Sequence, residues 1–244
     1  MTSGETLRLE EVSKSFGAIQ ALSDIDFTLY GHEIAALVGD NAAGKSTLLK
    51  AVAGIYKPDK GKMFLEGREV EFKSPMDARK NGIEMVFQDF MLCPDLDVTS
   101  NVFLGREKTA LQVLRKKEME KVVRSKLEEI KFDIPFLRRK VKFLSGGQQQ
   151  MASILRTLMF EPRILLLDEP TASLSAAASA EVMEFIRRLK EKISIIYVTH
   201  DLPSVIKYSD RITVLRAGRI VAERKPREAD PEVLTHELIK LMRL

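Results

Sequence analysis

A glycine-rich segment between an apolar run and a helix-forming run constrains the fold of this 244-residue chain most strongly. Residues 39–46 read Gly-Asp-Asn-Ala-Ala-Gly-Lys-Ser and fit the pattern G-x-x-x-x-G-K-[ST]. The apolar run at 34–38 directly precedes them and predicts a buried strand, and the segment that Thr47 opens predicts a helix. A strand, this loop and a helix in succession are typical of an α/β protein that binds nucleotide phosphates.

The residue types of this segment, the Walker A loop, explain how it would hold phosphate. Its glycines let successive backbone N–H groups point at one anion. Lys45 would reach the β- and γ-phosphates, and the Ser46 hydroxyl would bind Mg²⁺. The loop alone does not distinguish between ATP and GTP as the bound nucleotide. The predicted nucleotide contacts are Gly39, Asp40, Asn41, Ala42, Ala43, Gly44, Lys45, Ser46 and Thr47.

Hydrophobic periodicity changes along the chain and predicts its organisation. Short alternating segments over residues 7–73 predict antiparallel strands, and apolar residues at three- and four-residue steps between about 91 and 143 predict a helical insertion. Further on, apolar strands at 164–167 and 193–198 alternate with amphipathic helices, which indicates a parallel sheet covered on both faces. Leucine and isoleucine at 234, 238, 239 and 241 predict a docked terminal helix.

Composition narrows the class of protein. No apolar stretch approaches the ~20 residues that span a bilayer, and the first residues lack the order of a signal peptide. The single cysteine, Cys93, excludes an intramolecular disulfide and a cysteine-based zinc site. We expect a cytosolic protein unless a partner holds it at a membrane.

Positive charge is concentrated in one stretch. Residues 106–142 hold 13 basic and 6 acidic side chains, a net charge of +7, whereas the whole chain carries +4. Such a stretch could approach nucleic acid or anionic lipid headgroups, but a solvated helical surface is the simpler interpretation. Only Phe132 and Phe136 lie there, too few aromatic residues for a base-stacking platform.

Two acids end an apolar strand. Residues 164–169 read Ile-Leu-Leu-Leu-Asp-Glu, and ligands of open α/β sheets gather at the carboxyl ends of strands. Asp168 would hold Mg²⁺, directly or through water. Glu169 would orient or deprotonate the attacking water.

The pentapeptide Leu-Ser-Gly-Gly-Gln at 144–148 is typical of one protein family. With it the chain resembles the ATP-binding subunits of ABC transporters, of which this is the signature. The resemblance implies a P-loop ATPase core with a mostly parallel sheet, an antiparallel β subdomain and a helical subdomain. It also implies that Ser145, Gly146, Gly147 and Gln148 contact the nucleotide held by a second subunit.

The resemblance covers essentially the whole chain and implies roles for three more side chains. Gln88 would bind Mg²⁺, take part in catalysis with Glu169, and sense the transmembrane partner. His200, after a predicted strand, would contact the γ-phosphate as a further catalytic residue. Phe16 would stack on adenine, with core packing as a competing role.

Domain organisation and partners follow from the same resemblance. It implies a single ABC ATPase domain over 1–244, with a RecA-like core and antiparallel β subdomain at about 1–90 and 149–244 and a helical subdomain at about 91–148. It implies a head-to-tail dimer that sandwiches ATP with Mg²⁺. It also implies permease subunits that contact the segment containing Gln88, called the Q-loop, and the helical subdomain. A solute-binding protein would act indirectly. The chain would be peripheral on the cytoplasmic face of the membrane, with no nucleic acid bound.

The segment at 88–107 resembles one branch of importers. Its portion Asn-Val-Phe-Leu-Gly-Arg-Glu at 101–107 is most similar to ATPases of ribose-, xylose- and fructose-type sugar importers. The implied function is ATP hydrolysis that powers import of a simple sugar. The alternative is a non-transport ABC ATPase that acts on nucleic acid or ribosomes through the basic stretch, although such proteins typically have tandem domains or coiled-coil insertions. The missing membrane span excludes a fused exporter half.

Two positions depart from the family pattern. Ala42 stands where these loops usually have glycine, so the backbone there either avoids a positive φ or accepts a strain of about 1 kcal/mol. Ser175 stands where aspartate is common and cannot supply the same charge across a dimer. We therefore expect altered nucleotide affinity and altered coupling between the two ATP sites.

Overall fold

Two large β-sheets and a small hairpin contain all twelve strands of the described chain, which covers residues 4–87, 89–110 and 113–243 of a computed structural model. The strands are β1 (Glu5–Phe16), β2 (Ile19–Tyr30), β3 (Ile34–Val38), β4 (Lys60–Leu65), β5 (Arg68–Val70), β6 (Ile83–Val86), β7 (Thr109–Ala110), β8 (Val113–Leu114), β9 (Ile164–Asp168), β10 (Ser194–Val198), β11 (Arg211–Arg216) and β12 (Arg219–Arg224). The helices are α1 (Lys45–Val52), α2 (Pro75–Lys80), α3 (Val98–Val102), α4 (Lys116–Glu129), α5 (Gly146–Leu158), α6 (Ala176–Leu189), α7 (Leu202–Tyr208) and α8 (Pro231–Arg243).

The larger sheet has the order β12-β11-β3-β10-β9-β6, and the antiparallel sheet has the order β2-β1-β4-β5. In the larger sheet five neighbouring strands are parallel and only the edge strand β12 is antiparallel. The predicted α/β class with a mostly parallel sheet and an antiparallel β part is therefore confirmed.

Strand β3 shows why the parallel sheet is buried on both sides. Ile34, Ala36 and Val38 belong to one hydrophobic cluster, and Ala35 and Leu37 belong to the other. Because neighbouring side chains of a strand point to opposite faces, each face of β3 packs against its own core. The antiparallel sheet covers one face, and the segment around α3, α4 and α5 shares the core of the other.

The helical segment buries a narrow apolar stripe. Met119, Val123 and Leu127 of α4 are buried at four-residue spacing, as the periodicity predicts. The short hairpin β7-β8 inside this segment was not expected from the sequence. At the C-terminal end, Leu234 and Leu238 of α8 are buried, which confirms the predicted docked helix. No helix in the described part of the chain combines the length and apolar character needed to cross a bilayer.

Candidate nucleotide-binding site

The Walker A loop lies where the carboxyl end of β3 meets the start of α1. A Cβ atom at Gly39 would lie 2.2 Å from the carbonyl oxygen of Leu215, and one at Gly44 would lie 2.6 Å from that of Ala21. Gly44 also has φ +105°, a conformation that strains residues with a side chain. Only glycine fits these two positions, and residues 41–44 of the loop line a cavity.

Lys45 occupies the centre of this loop. Its side chain is buried, and its Nζ donates to the carbonyl oxygens of Gly39 at 2.7 Å and Asp40 at 2.8 Å. Burial lowers the pKa of Lys45, while the nearby carboxylates of Glu169, Asp168 and Asp40 oppose that shift. The ammonium is thus held by two neutral backbone acceptors, which a charged phosphate oxygen can replace.

Ser46 and Asp168 meet beside the lysine, although 122 residues separate them. The Ser46 hydroxyl donates to the Asp168 carboxylate at 2.9 Å. A hydroxyl and a carboxylate are both oxygen ligands of the kind that Mg²⁺ accepts. The donor set therefore fits a magnesium ion, which Ser46 and Asp168 would hold.

Glu169 follows Asp168 in a strained conformation. Its φ is +51°, in the left-handed region that is uncommon for non-glycine residues, although Glu66 and Ala217 of this chain also adopt it. One carboxylate oxygen lies 3.1 Å from Nδ1 of His200, and the other is buried without a hydrogen-bond partner in the described residues. A buried carboxylate oxygen without a donor is costly. It leaves an acceptor ready for a water molecule.

A cavity of about 600 Å³ joins these groups. The predicted residues that line it are Asn41, Ala42, Ala43, Gly44, Lys45, Ser46, Thr47, Asp168, Glu169 and His200. Ile19 and Gln20 of β2 also line it and were not predicted. The sequence signal that could have found these two residues is their position shortly after Phe16. Phe16 is exposed and its ring makes an edge contact with that of Tyr56.

The pentapeptide at 144–148 caps another helix. The Ser145 hydroxyl accepts from the backbone N–H of Gln148, and the Gln148 side chain accepts from the backbone N–H of Ser145, which is a capping box at the start of α5. Gly147 packs against Ala178 of α6. A Cβ atom added at Gly147 would lie 3.0 Å from the Cβ atom of Ala178. Within the described chain, Ser145–Gln148 do not line the cavity. Gln88, predicted to bind Mg²⁺, lies outside the described residues.

Comparison with known proteins decides the family. The sequence model of the ABC transporter family matches residues 22–172. The chain belongs to the ABC transporter family. The predictions of this family and of an ABC-type ATPase are confirmed at that level.

Relatives of the ABC family match most of the chain. It is 41% identical over 95% of its length to the xylose/arabinose import ATP-binding protein XylG of Sulfolobus acidocaldarius, of which it covers 92%. It is 38% identical over 88% of its length to the fructose import ATP-binding protein FrcA of Rhizobium meliloti, of which it covers 86%. It is 40% identical over 98% of its length to the galactofuranose transporter ATP-binding protein YtfR of Escherichia coli K12 but spans only 47% of that protein.

Solved ABC cassettes share the fold. One crystal structure of a cassette in its ADP conformation superimposes with a TM-score of 0.85 at 27% identity and covers 98% of both chains. A dimeric bacterial ABC transporter cassette gives a TM-score of 0.73 at 27% identity, over 91% of this chain and 99% of the other. Nucleotide binding is therefore a property of the family to which this chain belongs.

The two departures from the ABC pattern have distinct structural outcomes. Ala42 has φ +63°, so of the two alternatives the backbone accepts the left-handed conformation and its strain. Ser175 caps α6, where its hydroxyl accepts from the backbone N–H of Ala178 at 3.4 Å. An aspartate would cap the helix as well, so the cap does not explain why serine instead of aspartate stands at this position.

We expect Ala42→Gly to stabilise the Walker A loop of this ABC protein. Glycine removes a left-handed strain of about 1 kcal/mol, so ATP binding, measured by calorimetric titration, should tighten up to about fivefold or stay unchanged. The matched control is Ala43→Gly, because Ala43 is buried and has no positive φ. That control should destabilise the fold slightly. A large loss of affinity in Ala42→Gly would show that the alanine is itself required.

Proposed function

We propose that the chain is the ATPase subunit that powers import of a simple sugar through a membrane permease. The observation that carries the ATPase part is the single cavity that joins Lys45, Ser46, Asp168 and Glu169. The sugar part is supported by relatives named as import proteins for xylose and arabinose, fructose and ribose. Two of the three span little more than the length of this chain.

We assign the following roles to the residues of the cavity. Ser46 and Asp168 would hold Mg²⁺, which when bound would neutralise charge on the phosphates. Lys45 moves from its backbone acceptors to the β- and γ-phosphates. Glu169 orients the attacking water and accepts its proton, and His200 fixes the Glu169 carboxylate from 3.1 Å away.

Two copies of the chain would form the complete site. The exposed Ser145 and the glycines behind it do not line the chain's own cavity, yet they offer N–H groups at the start of a thirteen-residue helix. In a head-to-tail dimer, this helix start faces the nucleotide of the other copy. The dimeric ABC cassette among the similar structures supports that arrangement.

The permease partner follows from the importer assignment. We place the chain on the cytoplasmic face of the membrane, in contact with permease subunits through Gln88 and its neighbours and the helical subdomain at about 91–148. The assignment of Gln88 rests on the resemblance alone. Phe16 is also assigned to the adenine from the resemblance; it is exposed and pairs with Ile19, which lines the cavity.

The basic stretch gives less support to a nucleic-acid ATPase. Several of its charges are already paired: Arg124 and Arg138 both contact Glu120, and Lys126 contacts Glu161. Such paired side chains offer little free charge to a phosphate backbone. A second function on nucleic acid is therefore not proposed.

Co-purification tests the importer assignment. The tagged chain, expressed in its native host, should retain a multi-span permease, and ATPase activity of the complex in vesicles should rise several-fold when the sugar-loaded binding protein is added. A chain stimulated by ribosomes or DNA, with no permease retained, would contradict the proposal. The matched control is Lys45→Ala, which should retain the permease but lose the activity, because the phosphates lose their charged partner.

A further inference from the structure

The segment at 53–59, which connects α1 to β4, packs against the exposed Phe16 at the end of β1. The ring centroids of Phe16 and Tyr56 lie 5.0 Å apart, and the ring planes meet at 72°. Aromatic pairs prefer this edge-to-face geometry. Whichever ring supplies the edge, at least one face of Phe16 stays uncovered by Tyr56, and Phe16 is 42% exposed. Tyr56 therefore orients the ring of Phe16 without closing it to a ligand.

Asp59, in the same connecting segment, binds the residues just before Phe16. Its carboxylate accepts hydrogen bonds from Nζ of Lys14 and from the backbone N–H of Ser15, both at 2.7 Å. Its own backbone N–H donates to the carbonyl oxygen of Ser13 at 2.8 Å. The bonds from Lys14 and Ser15 lower the pKa of Asp59, which keeps the carboxylate ionised at neutral pH. Three hydrogen bonds thus attach the end of β1 to the connecting segment.

The connecting segment is also anchored to the helix that follows the Walker A loop. Helix α1 begins at Lys45, which lines the nucleotide cavity. Near its other end, the carbonyl oxygen of Lys50 accepts from the backbone N–H groups of Ile55 at 2.9 Å and Tyr56 at 3.2 Å. The Nζ atom of Lys50 lies 5.9 Å from the ring centroid of Tyr56, within the range of cation–π contact. Tyr56 is consequently fixed relative to the residues that face phosphate.

Phe16 borders the nucleotide cavity through its neighbours in β2. It pairs with Ile19, which lines the cavity and is 70% exposed. The Ser15 hydroxyl donates to the side-chain oxygen of Gln20, another lining residue, at 2.7 Å. A base that extends from phosphates in the Walker A loop towards β2 would therefore meet an aromatic ring that is already held in place.

We propose that Tyr56 and Asp59 are positioning residues for the nucleotide base. Tyr56 orients the ring of Phe16, Asp59 fixes the backbone before it, and α1 links both to the Walker A loop. The inference rests on the assignment of Phe16 to the adenine in the proposed function. Within the described chain, neither Tyr56 nor Asp59 lines the nucleotide cavity, so each acts through Phe16. A ring held in its bound orientation loses less conformational freedom on binding, which raises affinity without a new contact.

The test compares ATP with inorganic tripolyphosphate, which carries the phosphates but no base. In Tyr56→Leu, the affinity for ATP with Mg²⁺, measured by calorimetric titration, should fall about three- to tenfold, the loss expected for one edge-to-face pair. The affinity for tripolyphosphate should stay within twofold of wild type, because the Walker A loop is unchanged. Tyr56→Phe keeps the ring and should bind ATP like wild type. Equal losses for the two ligands, or no loss for ATP, would overturn the proposal.

Tyr30→Leu is the matched control. Tyr30 pairs with Glu5 at the opposite end of β1 and β2, is 43% exposed and is not among the described residues that line the nucleotide cavity. This variant should bind both ATP and tripolyphosphate like wild type. A loss confined to ATP in Tyr30→Leu would mean that the effect does not depend on contact with Phe16, and the proposal would fail.

Asp59→Ala tests the second positioning residue. The backbone before Phe16 loses its hydrogen bond to the carboxylate, so ATP affinity should fall several-fold while tripolyphosphate affinity stays within twofold of wild type. Asp59→Asn keeps an acceptor for the N–H group of Ser15 and should retain more of the ATP affinity than Asp59→Ala. Unchanged ATP affinity in a folded Asp59→Ala variant would overturn the role of Asp59.

A double-mutant cycle shows whether Tyr56 acts through Phe16. Phe16→Leu alone should weaken ATP binding about tenfold, the loss expected for one stacked base. Adding Tyr56→Leu should weaken it less than twofold further, because the ring that Tyr56 orients is already gone. Fully additive losses would overturn the proposal. If Phe16→Leu alone binds ATP within twofold of wild type, the adenine assignment fails and this proposal fails with it, whereas the importer assignment is decided separately by permease co-purification.

Discussion

Glu169→Gln should reduce ATP hydrolysis by about 10²- to 10⁴-fold, because the amide cannot accept a proton from the attacking water. One oxygen of the Glu169 carboxylate is buried without a hydrogen-bond partner among the described residues, which leaves an acceptor for the attacking water. Nucleotide binding should persist, since Lys45 and Ser46 are unchanged. Steady-state phosphate release and nucleotide titration measure the two effects separately.

The same variant tests the composite site. With ATP and Mg²⁺, size-exclusion chromatography should show a stable dimer, because the sandwich forms but is not released by hydrolysis. Glu181→Gln, on an exposed residue of α6, is the matched control and should hydrolyse ATP and elute like wild type. If Glu169→Gln binds ATP yet remains a monomer, the dimer model loses its support.

Residues at fixed spacing made the nucleotide site predictable. The Walker A loop and the pair Asp168 and Glu169 each follow an apolar strand, and parallel strands place their carboxyl ends at one edge of the sheet. His200 was predicted from the resemblance to the family, and the direct pairing of β9 with β10 is what brings it within 3.1 Å of Glu169. The sequence could not decide the sign of φ at Ala42, because that depends on how the loop closes against β11.

Long-range partners were the part that the sequence did not reveal. Strand β11 begins at Arg211, a charged residue that indicates a surface, yet Arg211 is buried because it pairs with Glu33, 178 residues away. Arg106 lies in the basic stretch that was interpreted as solvated, but Phe160 and Arg156 partly bury it. In both cases a distant residue changes the environment of a charge, and local periodicity carries no record of it.

Gly39→Ala should have the largest effect on stability of any single methyl group added to the Walker A loop. The new Cβ would lie 2.2 Å from the carbonyl oxygen of Leu215 and 3.1 Å from Cβ of Ala43. The oxygen belongs to the backbone of β11 and cannot rotate away, so loop and strand must separate. We expect the free energy of unfolding to fall by about 3 kcal/mol or more, measured by denaturant titration.

The control variant Gly67→Ala separates the effect of the steric clash at position 39 from the effect of backbone strain. Gly67 has φ +77° and no atom within 4 Å of an added Cβ, so this variant adds strain without contact. It should cost only about 1 kcal/mol. Gly39→Ala should also lose ATP binding in any folded fraction, because moving β3 away from β11 displaces the N–H groups that face phosphate. Equal costs for the two variants would mean that the loop relaxes around the methyl group, and the close approach of β11 would not be what requires glycine at position 39.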